Sequence, residues 1–143
     1  MADSVKLQII TPSKLFYEGD IELVIVRTTE GEEGFMAHHS WACKLLAAGG
    51  EMDIQEVGQK DFKVAAISGG FIDVMEDIVV YTDAAEWQEE IDTERALNEK
   101  TQAEEWLKGH GDDIPESING AKESIARQDA RVKVAAGGIH KKK

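Results

Sequence analysis

The chain has 143 residues, 28 of them acidic and 16 basic, for a formal net charge of −12. That length allows one domain of ordinary size or a small domain with an attachment. The charge argues against a binder of nucleic acid or of an anionic membrane surface, because neutralising phosphates needs a basic face.

In chain order, polar and apolar residues first alternate, as in Val5-Lys6-Leu7-Gln8-Ile9, the period of a strand with one buried face. Thr11-Pro12 ends that strand, since proline donates no ladder hydrogen bond and extends its predecessor. Glu18-Gly19-Asp20 reads as a turn and residues 21–29 as a strong strand rich in β-branched side chains. Glu30-Gly31-Glu32-Glu33-Gly34 is expected to be a tight acidic loop whose two glycines suit positive φ. Phe35-Met36-Ala37 is a candidate short strand, and His38-His39-Ser40 leads into another at residues 42–46. Gly49-Gly50 turns the chain. Residues 52–57 and 62–68 read as a hairpin around Gly58-Gln59-Lys60-Asp61. Gly69-Gly70 marks a bulge or a close backbone approach before Phe71-Ile72-Asp73-Val74, and residues 78–81 form the last strand.

Near Asp83 the apolar period changes. Ile118, Ala121, Ile125 and Val132 recur at helical spacing. Residues 83–91 read as a linker or short extra turn. Asp92 then caps a helix that stops at Gly109. Asp113-Ile114-Pro115-Glu116 opens a second helix, with proline at its first position and a capping-box-like acidic pair, and Gly137-Gly138 ends it. The pattern predicts a β + α fold. Residues 1–84 form an N-terminal β-sandwich or flattened barrel, and residues 85–143 an antiparallel two-helix hairpin with a basic tail. So few large apolar residues serve the hairpin that it needs a docking surface or a ligand to hold one arrangement.

Single motifs are weak. Cys43 stands alone, excludes a disulfide framework and reads as a small buried apolar residue. Adjacent His38 and His39 point apart on an extended chain and have no third ligand at zinc spacing, so no metal site is expected. Ser68-Gly69-Gly70 is no nucleophile elbow, and neither glycine pair carries the Lys-Ser/Thr of a phosphate loop. No catalytic site is expected. From Lys122 onward, Arg127, Arg131, Lys133 and the lysines at 141–143 face only Glu123 and Asp129, which points to an acidic partner or an anionic ligand. Arg127 and Arg131, four apart on one helix face, form a pair suited to gripping a polyphosphate, while Asp92 and Arg95 sit together at a helix start. The start Met1-Ala2-Asp3-Ser4 lacks the features of a secretory signal, so a cytoplasmic chain is expected.

Together these pieces resemble one family, the ε subunits of bacterial F-type ATP synthases. The resemblance is carried by residues 7–12 with Tyr17-Glu18-Gly19, by residues 24–29 with Glu30-Gly31-Glu32-Glu33-Gly34 and His39, and by residues 66–74. It continues through Asp83-Ala84-Ala85-Glu86 and Ile91-Asp92 with Arg95-Ala96. Ala37 and Trp41 stand where the family usually has proline.

The resemblance implies a non-catalytic rotor subunit of the central stalk that couples ion translocation to ATP synthesis. Its partners are then the γ subunit and the ring of c subunits, with Glu30, Gly31, Glu32 and His39 as the contact region. The hairpin is implied to extend upward against the catalytic β subunits, with α, and inhibit ATP hydrolysis. Membrane association comes only through the complex, at the cytoplasmic face of the bacterial plasma membrane. No cofactor is required. ATP is implied as a regulatory ligand of the folded-down hairpin, held by Glu86, Ile91, Asp92, Arg95, Ala96, Arg127 and Arg131. Gln102, where strong binders carry a basic residue, makes that binding weak. The competing reading is a free-standing β-sandwich adaptor that binds an acidic partner through its helices. A small-molecule enzyme of jelly-roll type is disfavoured by the lack of clustered ligands.

Overall fold

Strands β1 (Val5–Ile10) and β2 (Leu15–Thr28) form a hairpin closed at Thr11, whose carbonyl and amide both bond Lys14. The predicted turn at Glu18-Gly19-Asp20 is instead the middle of β2. Gly19 lies opposite Leu7 in the ladder, and a β-carbon there would sit 2.6 Å from the Tyr17 hydroxyl. The glycine makes room for a tyrosine ring rather than bending the chain. The computed structural model describes residues 3–137. Expectations for Met1, Ala2, Gly138 and the lysines at 141–143 lie outside them.

The acidic loop is also corrected. Only Thr29 and Glu30 turn. Strand β3 (Gly31–Phe35) pairs back on β2, with Glu32 opposite Arg27, and positive φ occurs at Gly31 but not at Gly34. Phe35 closes β3 with 1% exposure, and Met36 and Ala37 belong to the following turn rather than a strand. Strands β4 (Ala42–Leu45), β5 (Gly50–Glu56), β6 (Lys63–Ile67), β7 (Phe71–Val74) and β8 (Ile78–Tyr81) follow as expected, with Gly50 already the first residue of β5. At Gly70, with φ of +96°, an added β-carbon would lie 1.8 Å from the Tyr81 carbonyl oxygen. The glycine pair therefore marks a close backbone approach.

Residues 83–91 are more than a linker. Strand β9 (Ala85–Trp87) pairs with β6, and a 3-10 turn (Gln88–Glu90) follows. The alternation there spans three residues, too few for a period to show.

The strands run in the order β4-β7-β8-β1-β2-β5-β6-β9, with β3 also on β2. Because β2 pairs with β1 in its first half and with β3 and β5 in its second, it belongs to both layers of a β-sandwich. The core between the layers is Leu7, Ile9, Ile21, Val24, Val26, Phe35, Met52, Ile54, Ile72, Ile78 and Val80, all at most 1% exposed.

Helices α1 (Thr93–Gly109) and α2 (Pro115–Ala135) form the hairpin. Asp92 accepts from the Arg95 amide at 3.1 Å, the expected cap. The acidic pair before α2 forms no capping box: Ile114 occupies the cap without a side-chain hydrogen bond, and Pro115 opens the helix. Proline has no N–H to satisfy, so the missing cap leaves one fewer orphan. The hairpin is folded down. α2 packs on β5 and β6, and α1 packs chiefly on α2. No described helix is long and apolar enough to cross a membrane.

Candidate functional site

Since Met52 and Ile54 fill the core, the alternate residues Glu51 and Asp53 of β5 face outward, toward α2. The same parity puts Glu86 of β9, opposite Ala66, on that outer side. Along the seam between β6, β9 and α2 lies a cavity of about 400 Å³, lined by Ser68, Asp83, Glu86, Arg127, Gln128 and Arg131 among others. This is within the range of small-molecule sites, about 300–1,000 Å³.

The structure gathers three of the seven expected ligand residues here. The Arg131 guanidinium donates to both Glu86 oxygens, at 2.8 and 3.4 Å, and to Gln128 Oε1 at 2.6 Å. It also lies 3.7 Å from Glu99 Oε2. Arg127, one turn earlier, lines the cavity and makes no ion pair among the described residues. Asp92 and Arg95 are outside the cavity: Asp92 caps α1, and Arg95 Nε donates to Glu99 Oε1 at 3.0 Å. They reach Arg131 only through Glu99. Ala96 is fully buried, and Ile91 is half-buried beyond the 3-10 turn. Neither lines the cavity.

Glu99 and Gln128 are the residues that sequence reasoning missed. Their signal was present in the spacings Arg95–Glu99 and Gln128–Arg131, four and three apart on a helix face. Chemically, the seam offers one cation already held by two carboxylates and a second cation with no such partner. An anion entering it meets Arg127 first and gains Arg131 by displacing Glu86.

The expected partner contacts separate. Glu30 and Gly31 sit at one end of the β2–β3 hairpin, where Glu30 lies 3.5 Å from Lys44 Nζ. His39 is at the other end, its ring 4.8 Å from that of Phe35. At about 3.3 Å per residue, the five residues of β3 put roughly 13 Å between them. The histidines lie on a turn, not on an extended chain, with His38 at φ of +67°. The two rings still diverge, His38 Nε2 reaching Asp3 at 3.4 Å. Around this turn Met36 and Trp41 are 57% and 70% exposed.

A second surface was not anticipated. Cross-strand register aligns Leu45, Phe71, Tyr81, Ile10 and Leu15 in one row over β4, β7, β8, β1 and β2. Leu45 and Leu15 are more than half exposed, and the Phe71 and Tyr81 rings stack at 4.8 Å. An exposed apolar row of this kind is a candidate docking surface. Cys43, one pair along β4, is exposed rather than buried as its residue type suggested. On β4 the odd positions point outward.

A sandwich with an exposed apolar row on one face and a charged, helix-roofed seam on the other carries two candidate interaction surfaces. The family model for the ATP synthase delta/epsilon chain β-sandwich domain matches residues 4–88. An ATP synthase epsilon chain of Alkaliphilus oremlandii is 44% identical over 108 residues, 75% of this chain and 78% of that one. That of Shouchella clausii is 38% identical over 127 residues, covering 88% and 93%. The chain belongs to the ATP synthase epsilon family and is a non-catalytic subunit of that complex. Among solved structures, a chain of the Euglena gracilis mitochondrial ATP synthase (OSCP/F1/c-ring) superposes with a TM-score of 0.73 at 21% identity. It covers 89% of this chain and 78% of that one, a likeness of fold.

Proposed function

We propose that this epsilon subunit sits in the central stalk, couples ion translocation to ATP synthesis as part of the rotor, and restrains ATP hydrolysis through its hairpin. The observation that carries the regulatory part is that α2 lies on the sheet with a charged cavity in the seam. In this reading, residues that bridge the seam decide whether the hairpin stays down. ATP enters the cavity, its phosphates engage Arg127 and Arg131 in place of Glu86, and the hairpin is latched. Asp92, Arg95, Ile91 and Ala96 contribute by shaping the start of α1. Binding is weak because Glu86 and Glu99 compete for Arg131. Released, the basic face of α2 meets acidic surfaces of the catalytic β subunits, with α, and brakes hydrolysis.

The apolar row through Leu45, Phe71 and Tyr81 suits the γ subunit. The His39 turn, with exposed Met36 and Trp41, suits the c-ring, and Glu30, Gly31 and Glu32 form the neighbouring hairpin end. The subunit is then peripheral at the cytoplasmic face of the plasma membrane, held there only through the complex.

Calorimetry on the isolated subunit with millimolar ATP is the test of the latch. Heat is expected for the wild type and little for Arg127→Ala; equal heat from both ends the proposal. For the brake, truncation after Ile91 keeps β9 in the sheet and is expected to raise hydrolysis in the assembled enzyme without loss of assembly. Unchanged hydrolysis refutes it.

A further inference from the structure

Asp53 points out of the sandwich, on the face of β5 that α2 covers, and yet is only 1% exposed. The helix that roofs β5 therefore hides a carboxyl. Its ladder neighbours are Ile25 on β2 and Val64 on β6, both without charge. On its own strand Glu51, a second carboxyl, is its hydrogen-bonding neighbour once one of the two carries a proton, and Glu32 of β3 adds negative charge nearby. Arg27 of β2, opposite Glu32 on the β3 side, lines a cavity of about 390 Å³ with Glu51, Asp129 and Lys133. The lysines facing this side of α2 are taken up by Asp129: Lys133 Nζ lies at 3.0 Å and Lys100 Nζ at 3.1 Å.

We propose that the Asp53–Glu51 carboxyl pair beneath α2 makes docking of the hairpin proton-dependent, the hairpin lying down when the pair shares a proton and releasing when both carboxyls are ionised. Two carboxyls this close, one buried and one half-buried, hold one proton between them, because two adjacent negative charges there are too costly. Lifting α2 readmits water and lets both ionise. Burial, then the hydrogen bond to Glu51 and the charges of Glu51 and Glu32, push the Asp53 carboxyl up to about 8 in the docked form. Between the ordinary carboxylate value and that one, the docked form binds more protons than the released form. Docking therefore weakens as pH rises, by at most about tenfold per pH unit for one linked proton. The Lys133–Asp129–Lys100 cluster acts oppositely but only in acid, since Lys133 first and Lys100 second hold Asp129 below the usual carboxylate range.

The inference takes from the proposed function only that α2 is able to leave the sheet. Its test is the distance between spin labels on Cys43 and on Gly111→Cys at the hairpin tip, in the full chain from pH 5 to 9. The docked-to-released ratio is expected to fall by close to tenfold per pH unit through part of this range, and to be flat in Asp53→Asn. Glu51→Gln, which keeps Asp53 but removes its charged neighbour, is expected to move the change to lower pH. Gly49→Leu serves as a released reference at every pH, because a side chain there collides with the α2 backbone. A wild-type ratio flat while Gly49→Leu is released overturns the proton dependence alone. So does an Asp53→Asn profile equal to wild type. A Gly49→Leu variant still docked at all pH values overturns the mobile hairpin and this inference together.

Discussion

Gly49 and Ala126 meet backbone to backbone: a β-carbon on Gly49 would lie 2.4 Å from the Ala126 carbonyl oxygen and 2.7 Å from the Arg127 α-carbon. The glycine is the notch into which α2 settles, and no flexible side chain stands between to give way. Gly49→Val is expected to lift α2 off β5 while leaving the sandwich core intact. Overpacking of this kind costs about 1–3 kcal/mol. Amide exchange decides: residues 115–135 are expected to lose protection selectively, and uniform protection would show that α2 docks without the notch.

The bond between Arg131 and Glu86 joins α2 to the sheet edge across 45 residues of sequence. Both side chains are largely buried, at 20% and 31% exposure, so the pair is worth more than a surface bridge, on the order of 1–2 kcal/mol. Arg131→Ala is expected to weaken docking by about that much and to abolish the heat of ATP binding. Glu86→Gln frees Arg131 of one competing carboxylate and is expected to tighten ATP binding even as it loosens the docked hairpin. Titration calorimetry separates these two effects, and weaker binding in Glu86→Gln would contradict the displacement of Glu86 by phosphate.

Tyr17 donates to Glu56 Oε2 at 2.7 Å, and its ring packs edge-on to Trp87, which stacks on Phe16. Burial first, then the bond to Glu56, raise the Tyr17 phenol well above its usual range. Above pH 10 the unfolded chain loses this proton while the folded chain keeps it. Tyr17 therefore subtracts stability as pH rises past that point. Tyr17→Phe is expected to lower stability at pH 7 by about 0.5–1.5 kcal/mol, and by less at pH 11. Denaturant titrations at the two pH values test it; a loss that does not shrink at pH 11 speaks against this account.

Leu45 and Phe71 stand opposite one another on the outer face, exposed and outside the core. Leu45→Lys is expected to change stability by no more than about 0.5 kcal/mol, as for most surface substitutions. It is expected to abolish recovery of the subunit with γ, because a charge then faces the apolar row. Normal recovery would remove this row from the γ interface.

Strands with a clean alternation, such as Val5-Lys6-Leu7-Gln8-Ile9, were legible because period two needs no tertiary partner to show itself. Asp92 was legible as a cap for the same reason, its bond being local. Gly19 was misread: a strand glycine and a turn glycine look alike until the Tyr17 ring above it is seen. Strand β9 was missed because three residues hold no period, and its pairing with β6 is set by a chain segment some twenty residues away.

The candidate site divides along the same line. That Arg127 and Arg131 share a helix face follows from their spacing of four, a property of the α-helix itself. That Glu86 meets Arg131, while Asp92 turns away to cap α1, depends on where α2 rests on the sheet. That resting place is set by the Gly49 notch and by β9. Local order is decided by backbone geometry over a few residues and is written in the sequence. The seam, the apolar row and the hidden Asp53 arise where distant segments meet, and only the packed chain decides them.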